Sequence, residues 1–381
     1  MIATPTSAVC FHGGASYEWI GSSFDRLDQI DQVIDADVLD AWFSPSPKAI
    51  ELMREYLPWL VRTSPPALPN GVELTISKQR GIPLANVVAG AGSSSLIYLA
   101  LQSLLTPASR VLLLNPTYGE YAHVLSHVIG CQIDRFQLLP EDDYVVDLNK
   151  LVATMRSRLY DMVILVNPNN PTGKFITKDL LLQAIDSVPE ETTVWVDEAY
   201  IDYVAADQSL EAYAAKKSNV IVCKSLSKVL AMSGLRAGYL CGHSSVVARL
   251  KVLTPPWSLT LPTQVALIAA LQDHEYYGKC YAQTRVLREH LTLSLKQVLG
   301  FSPYVGTANF LLVDYPDRLP EAAAFLQLCG KRRLLLRDTR SMGNTTRNHS
   351  FRVAVKGSQT NENIVQILQE VCNASMPLHA Q

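Results

Sequence analysis

The fold is decided by residues 222–239, which read V-C-K-S-L-S-K-V-L-A-M-S-G-L-R-A-G-Y. A β-rich run, 219–223, predicts a strand, and a polar loop with Ser225, Ser227 and Lys228 follows it. Arg236 comes eight residues after the lysine. Lys228 could form a Schiff base with a carbonyl, while the hydroxyls and Arg236 could hold a phosphate. A surface lysine is the simpler interpretation of this stretch alone, so the choice depends on the rest of the chain.

The composition is that of a soluble globular protein with two or three domains' worth of chain. Of the 381 residues, 48% are hydrophobic and 18% are charged, and the formal net charge is −2. Near-neutral charge argues against a nucleic-acid or anionic-membrane partner, and no apolar run reaches the ~18–20 residues of a membrane span. Residues 1–10 lack the pattern of a secretion signal. Seven scattered cysteines without C-x-x-C indicate reduced thiols in a cytoplasmic protein and no metal site.

Short apolar runs alternate with helical patterns through most of the chain, which indicates a mostly parallel sheet covered on both faces. The predicted strands of this sheet are 87–89, 111–114, 132–137, 161–166, 193–196, 220–223 and 238–242. After a long helical stretch, 264–298, a second pattern begins, with strands at 310–314, 334–337 and 351–355. We therefore predict an α/β protein with an N-terminal arm (1–47), a large domain (48–270) with a seven-stranded sheet, and a smaller α/β domain (271–381).

Polar residues follow two of these strands at the edge where parallel sheets bind ligands. Asp197 ends an apolar run in V-D-E-A-Y and could keep a ring nitrogen protonated, with Tyr200 three residues later near the same ring. Capping of the next helix is the alternative for Asp197. Asn170 lies in N-P-N-N-P-T-G, whose prolines and glycine fix the shape of the loop. A structural turn is the alternative there.

Three other stretches supply further candidates. Residues 90–95, G-A-G-S-S-S, precede a helix, so their amides and the hydroxyls of Ser93 and Ser94 could form an anion site. Tyr118 follows a strand in N-P-T-Y-G and could stack on a flat ligand, or be an ordinary core tyrosine. Arg352 interrupts an apolar strand and could bind a carboxylate, or form a structural ion pair.

Pyridoxal 5'-phosphate carries the carbonyl, phosphate and ring that these residues would bind. N-P-N-N-P-T-G, V-D-E-A-Y, S-L-S-K and G-L-R-A-G-Y resemble, in order and spacing, the motifs of the fold-type-I, pyridoxal-phosphate-dependent class I/II aminotransferase family. The histidinol-phosphate aminotransferase branch is the nearest, over roughly residues 47–368. The resemblance implies that fold, that cofactor and an enzyme of amino-acid metabolism.

The resemblance also implies roles for the catalytic residues. Lys228 would form the Schiff base, and Asp197 would pair with the pyridine nitrogen. Asn170 and Tyr200 would contact the phenolic oxygen, and Tyr118 would stack on the ring. Arg352 would bind the substrate carboxylate, with Asn170 and Glu18 also at the substrate. The residues implied at the cofactor phosphate are Gly92, Ser93, Ser94, Ser225, Ser227 and Arg236. Family members are typically homodimers with active sites at the subunit interface.

The sequence departs from that branch in three places. Residues 93–95 are Ser-Ser-Ser where the branch has Ser-Asp-Glu, and 62–66 are Arg-Thr-Ser-Pro-Pro where it has Tyr-Pro-Asp. Residues 39–47 lack the usual asparagine-rich entry. The cofactor chemistry survives these changes, whereas the substrate and the fate of the carbanion at Cα are left open.

Two reactions at the Cα–H of a free L-amino acid share these residues. One is elimination and cyclisation of a hydroxylated, arginine-like substrate by a cyclodehydratase of natural-product biosynthesis. The alternative is amino transfer by an enzyme of the histidinol-phosphate aminotransferase type. We favour the first, because the arm carries seven acids, including Glu18, Asp25 and Asp28, against one base and could select a guanidinium. A solvated acidic face is the simpler interpretation of most of those acids. A non-catalytic regulatory domain is disfavoured because no DNA-binding segment accompanies the fold.

Overall fold

The computed structural model describes residues 13–21, 23–298 and 300–375. The start of the predicted arm, the segment examined for a secretion signal, and Cys10 lie outside these residues. The strands of the described chain are β1 Ile34–Asp35, β2 Val87–Gly90, β3 Arg110–Asn115, β4 Gln132–Gln137, β5 Met162–Val166, β6 Thr193–Asp197, β7 Val220–Ser225, β8 Gly238–Gly242, β9 Ser302–Pro303, β10 Phe310–Asp314, β11 Leu334–Leu335, β12 Arg337–Asp338 and β13 Ser350–Ala354.

The central sheet has seven strands in the order β2-β8-β7-β6-β5-β3-β4. Only β8 runs antiparallel to its neighbours, β2 and β7, so the predicted mostly parallel sheet is confirmed. Alternate side chains of the strands enter two different apolar cores: Leu112 and Val163 face one, and Val111 and Ile164 face the other. Because both faces are buried, inner strands such as β5 read as continuous apolar runs, whereas the edge strand β4 carries polar, partly exposed residues.

Helices cover both faces of this sheet. The α-helices of the described residues are α1 Tyr17–Ile20, α2 Pro47–Arg62, α3 Asn70–Arg80, α4 Ser93–Leu104, α5 Gly119–His123, α6 Leu148–Arg156, α7 Lys178–Asp186, α8 Glu211–Ala214, α9 Leu226–Val229, α10 Ser244–Leu253, α11 Leu261–Leu271, α12 His274–Gln297, α13 Ala322–Lys331 and α14 Ser358–Ser375. Within these same residues, we find no helix that is both long enough and apolar enough to cross a membrane.

The long helical stretch predicted at 264–298 is two helices, α11 and α12. The chain leaves the helical conformation at Asp273, whose backbone has φ −101° and ψ 57°. The Asp273 carboxylate accepts hydrogen bonds from Ser46 Oγ and Lys48 Nζ at the start of α2. The break therefore ties the C-terminal helices to the first long helix.

A second, four-stranded sheet, in the order β12-β13-β10-β9, forms the C-terminal part of the chain, as predicted. The strand predicted at 334–337 divides at Leu336. Its first half, β11, pairs in parallel with β1, and its second half, β12, pairs with β13. The proposed domain boundaries at 47 and 270 stay a prediction.

The N-terminal segment 34–40 is fastened to this C-terminal part by its backbone. Ala354 N donates to Ala36 O at 3.0 Å, and Arg352 Nη2 donates to Asp37 O at 2.6 Å. Asn309 Nδ2 donates to Leu39 O at 3.1 Å. These bonds bring residues 38–40 to the carboxyl end of the seven-stranded sheet.

Candidate active site

A cavity of about 310 Å³ opens at the carboxyl ends of the parallel strands. Its lining includes ten residues predicted from the sequence: Ser93, Ser94, Tyr118, Asn170, Asp197, Tyr200, Ser225, Lys228, Arg236 and Arg352. It also includes residues that the sequence analysis did not assign: Val38, Leu39, Val166, Ala199, Arg337 and Met342. The structure thus gathers side chains that are more than 250 residues apart in sequence.

Strand ends place these side chains. Asp197 is the last residue of β6, and Ser225 is the last residue of β7. The chain after β5 is held beside them because Asn167 N donates to Asp197 O at 2.8 Å. Parallel neighbours end at the same edge, so residues that follow separate strands converge on one cavity.

Lys228 lies in the short helix α9, directly after β7. Its Nζ is 3.6 Å from Asp40 Oδ1. Burial lowers the pKa of Lys228; the Asp40 carboxylate raises it, and the guanidinium groups of Arg236 and Arg352 lower it. A lowered pKa gives this amine a larger neutral fraction near neutral pH, as a nucleophile or a base requires.

Asp197 is held by a buried chain of hydrogen bonds that the sequence did not reveal. Tyr121 OH donates to Asp197 Oδ2 at 2.7 Å and accepts from Trp195 Nε1 at 2.8 Å. Ala199 N donates to Asp197 Oδ1 at 2.9 Å. Burial nevertheless raises the pKa of Asp197 to about 6, with these hydrogen bonds opposing the rise. A cation at this carboxylate would restore its charge.

The loop 167–173 has a shape fixed by its own asparagines. Asn167 bonds the backbone of Ile176 through both its side-chain atoms, at 2.8 Å each. Asn169 accepts from Thr117 Oγ1 at 2.8 Å and donates to Pro116 O at 3.0 Å. The loop therefore holds Asn170, whose Oδ1 accepts from Arg352 Nη1 at 2.7 Å inside the cavity.

An anion cradle lies at the start of α4. Gly92 has φ +92°, and a Cβ there would lie 2.9 Å from Arg236 Nη2. A Cβ on Gly238 would lie 2.7 Å from Ser93 N. Glycine at position 92 lets Arg236 approach the start of α4, and glycine at 238 leaves room for the first amide of α4; helix amides with a guanidinium can form an anion site.

Glu120 is a buried carboxylate that the sequence analysis missed. It accepts a hydrogen bond from Ser94 Oγ at 2.9 Å and another from Tyr118 OH. The aspartate expected after Ser93 in the related branch is absent here, and Glu120 brings a carboxylate to this region from the helix α5. Its partners Ser94 and Tyr118 both line the cavity, so Glu120 orients two lining residues at once.

Two arginines lie on adjacent strands beside the cavity. Arg337 on β12 is in register with Arg352 on β13, and both line the cavity. Asp37 Oδ1 lies 3.7 Å from Arg337 Nη1, and burial raises the pKa of Asp37. Arg352 Nε has no hydrogen-bond partner within the described residues. The arrangement can bind an anion with more than one negative charge.

A cluster of buried charges lies behind the strands. Lys224 Nζ lies 3.2 Å from Glu198, 3.6 Å from Asp202 and 3.7 Å from Glu211. Arg80 Nη2 donates to Asp202 at 2.8 Å, and Tyr239 OH donates to Glu211 at 2.6 Å. Because Glu198 follows Asp197 and Lys224 precedes Ser225, the cluster fixes the ends of β6 and β7.

Three predicted site residues do not line the cavity. Ser227 lies behind the cavity, where its hydroxyl accepts a hydrogen bond from Arg236 Nη1 at 3.4 Å. Gly92 has no side chain to line the cavity, and its lack of a Cβ leaves room for Arg236. Glu18 is exposed, as are Asp25 and Asp28. The described structure therefore does not bring Glu18 to the cavity of its own chain. The acids of the arm found beside cavity residues are Asp37 and Asp40.

The residues present fit pyridoxal phosphate. The glycine-shaped cradle with Arg236 fits its phosphate, and Asp197 has a raised pKa that a protonated ring nitrogen would lower. Lys228 has an amine in the same cavity that could react with its carbonyl. Tyr118 and Tyr200 supply aromatic rings beside the same space. These features occur together in one cavity of the described chain.

Comparison with known proteins agrees with this fit. The family described as aminotransferase class I and II matches residues 77–371. A histidinol-phosphate aminotransferase of Methanococcus maripaludis is 28% identical over 327 residues, which cover 86% of each chain.

Solved structures share the fold. The histidinol-phosphate aminotransferase from Clostridium acetobutylicum has a TM-score of 0.80 at 21% identity, with 90% of this chain and 100% of that chain covered. The one from Sinorhizobium meliloti, in complex with pyridoxal-5'-phosphate, has a TM-score of 0.78 at 21% identity, with 89% and 90% covered. The family match extends over most of the chain, including every motif quoted above. The chain therefore belongs to the class I and II aminotransferase family of pyridoxal-phosphate-dependent enzymes.

Proposed function

We propose that this enzyme is an aminotransferase of the histidinol-phosphate aminotransferase type, acting on an amino substrate that carries a phosphate. The observation that supports this proposal is the pair of guanidinium groups, Arg337 and Arg352, in one cavity with Lys228. The names of the relatives point to the same reaction. The proposal replaces the cyclodehydratase that we favoured from the sequence with its alternative.

The charge of the cavity supports this choice. Lys228, Arg236, Arg337 and Arg352 line it together with one carboxylate, Asp197. Glu18, Asp25 and Asp28 of the arm are exposed, and the two arm acids beside the cavity, Asp37 and Asp40, already lie against Arg337 and Lys228. A cationic arginine-like substrate would meet like charges, whereas a phosphate would be attracted and could bond both arginines.

The proposed roles follow from position. Pyridoxal phosphate, when bound, supplies an electron-withdrawing ring that makes the Cα–H of the amino substrate acidic. Arg236 and the amides of α4 would hold its phosphate. Asp197 would keep its ring nitrogen protonated, because Tyr121 and the amide of Ala199 fix both carboxylate oxygens. Lys228 would carry the cofactor and then act as the base that takes the proton from Cα.

Arg352 has a second task in this proposal. It donates to Asn170, which comes from the rigid loop after β5. Burial lowers the pKa of Arg352 to about 10, so it stays charged at neutral pH. A substrate anion at Arg352 would thus be positioned relative to the same loop that contacts the cofactor, and the Cα–H would be turned toward Lys228.

The test compares substrates with and without the phosphate. The enzyme loaded with pyridoxal phosphate is given histidinol phosphate, histidinol or a hydroxyarginine, each with and without a 2-oxo acid. We expect amino transfer from histidinol phosphate that requires the oxo acid, with kcat/KM about 100-fold above that of histidinol, because charged hydrogen bonds contribute up to about 3 kcal/mol. Equal use of the two compounds, or a cyclised product formed without oxo acid, would refute the proposal.

A pair of variants isolates the arginine. Arg337→Met should lower kcat/KM for histidinol phosphate by about 10- to 100-fold and leave that for histidinol nearly unchanged. Arg340→Met is the matched control, since Arg340 lies just beyond β12 and pairs with Asp338 outside the cavity lining. Equal losses in both variants would remove Arg337 from the substrate site.

A further inference from the structure

Asp40 places a carboxylate against the lysine of the active site. Its Oδ1 lies 3.6 Å from Lys228 Nζ, and its side chain is 49% exposed while that of Lys228 is 24% exposed. The neighbouring residues Val38 and Leu39 line the cavity. Asp40 therefore stands at the border between the cavity and solvent, on the N-terminal segment rather than on the sheet that carries the other catalytic groups.

The backbone around Asp40 is fixed by the C-terminal part of the chain. Leu39 O accepts from Asn309 Nδ2 at 3.1 Å, and Asp40 O accepts from Lys356 Nζ at 3.5 Å. Asp37 O accepts from Arg352 Nη2 at 2.6 Å. Because the backbone is held at Asp40 and at two positions before it, the approach of the carboxylate to Lys228 is fixed by the fold of the segment.

The groups that face Lys228 from other elements do not substitute for this carboxylate. Arg236 follows α9, and Arg352 comes from β13; both are cations and lower the pKa of Lys228. Tyr203 OH donates to the backbone oxygen of Lys228 at 3.0 Å, and Tyr200 lines the cavity nearby. The carboxylate of Asp40 thus opposes the effect of these two guanidinium groups on the pKa of Lys228.

We propose that Asp40 is a positioning residue that holds the protonated form of Lys228 during the reaction. When Lys228 takes a proton from the substrate Cα, its nitrogen lone pair forms the new N–H bond and the Cα–H electron pair stays on the substrate. The resulting ammonium donates a hydrogen bond to Asp40, which does not itself take the proton. The proton is thereby kept at the active site for its return. This inference rests on the proposed role of Lys228 and is independent of the substrate.

The test is spectroscopic. In the enzyme loaded with pyridoxal phosphate, the absorbance of the bound cofactor changes when its bond to Lys228 is protonated, so a pH titration gives a midpoint. Asp40→Asn keeps the shape and removes the charge. We expect the midpoint to fall by about one pH unit. This is the low end of the shift that a nearby opposite charge produces, because the half-exposed Asp40 is screened by solvent. Asp40→Glu should recover most of the shift, and Asp31→Asn, at an exposed acid of the N-terminal arm, should leave the parent midpoint unchanged.

Kinetics and a cofactor-free measurement complete the test. Asp40→Asn should lower kcat about tenfold with little change in KM, because substrate binding does not use the carboxylate. If the variant holds the cofactor weakly, NMR titration of isotopically methylated Lys228 in the apoprotein should show the same fall in its pKa. An unchanged midpoint or lysine pKa in Asp40→Asn would overturn the inference. Borohydride reduction of the parent enzyme should attach the cofactor covalently to Lys228. If it does not, the proposed function is overturned instead.

Discussion

Tyr121→Phe tests the hydrogen-bonded chain beneath the cofactor site with a change of a single oxygen atom. The ring of Tyr121 is fully buried, so Phe keeps the packing. The oxygen donates to Asp197 at 2.7 Å and accepts from Trp195 Nε1 at 2.8 Å. A hydrogen bond to a charged group contributes about 1.5–3 kcal/mol, and 1.4 kcal/mol is a factor of ten in an equilibrium constant. We therefore expect cofactor affinity to fall about 10- to 100-fold.

A second effect of Tyr121→Phe should appear in stability. Trp195 Nε1 loses its acceptor in a buried place, which costs about 1–3 kcal/mol of unfolding free energy. Cofactor affinity is measured by equilibrium titration of the apoprotein, and stability by denaturant unfolding. Tyr213→Phe is the matched control, because it also removes a phenolic hydroxyl that donates to an aspartate, Asp186, but at the surface. If Tyr121→Phe binds cofactor as tightly as the control does, Asp197 does not depend on Tyr121 and the reasoning is wrong.

Three other predictions concern pH, buried charge and assembly. Burial raises the pKa of Asp197 from 3.8 to about 6, so the folded apoprotein binds the proton more tightly than the unfolded chain. The contribution of Asp197 to the unfolding free energy should therefore fall by about 2 kcal/mol as the pH rises from about 4 to 6, and Asp197→Asn should remove that part of the pH dependence in denaturant titrations at both pH values. Lys224→Met should cost about 3–5 kcal/mol in the same assay, because it leaves three buried carboxylates without that cation, whereas Lys217→Met, at an exposed pair with Asp186, should cost less than about 1 kcal/mol. The enzyme should sediment as a homodimer at micromolar concentration, as the family resemblance implies; an active monomer there would contradict this.

Local sequence patterns were sufficient to predict the sheet and the residues at its strand ends. The inner strands of the sheet, such as Met162–Val166, are apolar because both of their faces are buried, and this pattern is visible in any short window. Asp197, Ser225 and Lys228 were predictable because each follows such a strand closely, and parallel strands bring their carboxyl ends to one edge. The predicted helical stretch is interrupted at Asp273, whose carboxylate accepts a hydrogen bond from Ser46, 227 residues away.

Residues that act through distant partners were missed. Tyr121 bonds Asp197 across 76 residues, and nothing near Tyr121 in sequence marks it. Glu120 could be recognised only once the structure placed its carboxylate beside Ser94, the serine that stands where the related branch has an aspartate. Arg337 did carry a signal, because it ends the apolar run of residues 334–336, and the register of β12 with β13 makes Arg337 and Arg352 neighbours. The count of acids in the arm did not indicate which of them lie near the cavity, and Asp40 is held there by backbone bonds made by the far end of the chain.

The fastening of residues 34–40 to the C-terminal sheet has a consequence for synthesis on the ribosome. Asp37 and Arg352, which share a hydrogen bond, are 315 residues apart. At about 5–20 residues per second, the N-terminal segment emerges roughly 15–60 s before the strand to which it bonds. The seven-stranded sheet, which ends at Gly242, can form within that interval, but the N-terminal wall of the cavity cannot. In nascent chains, Lys228 and the anion cradle should therefore reach their folded positions first. The cavity should close only when β13 has left the exit tunnel.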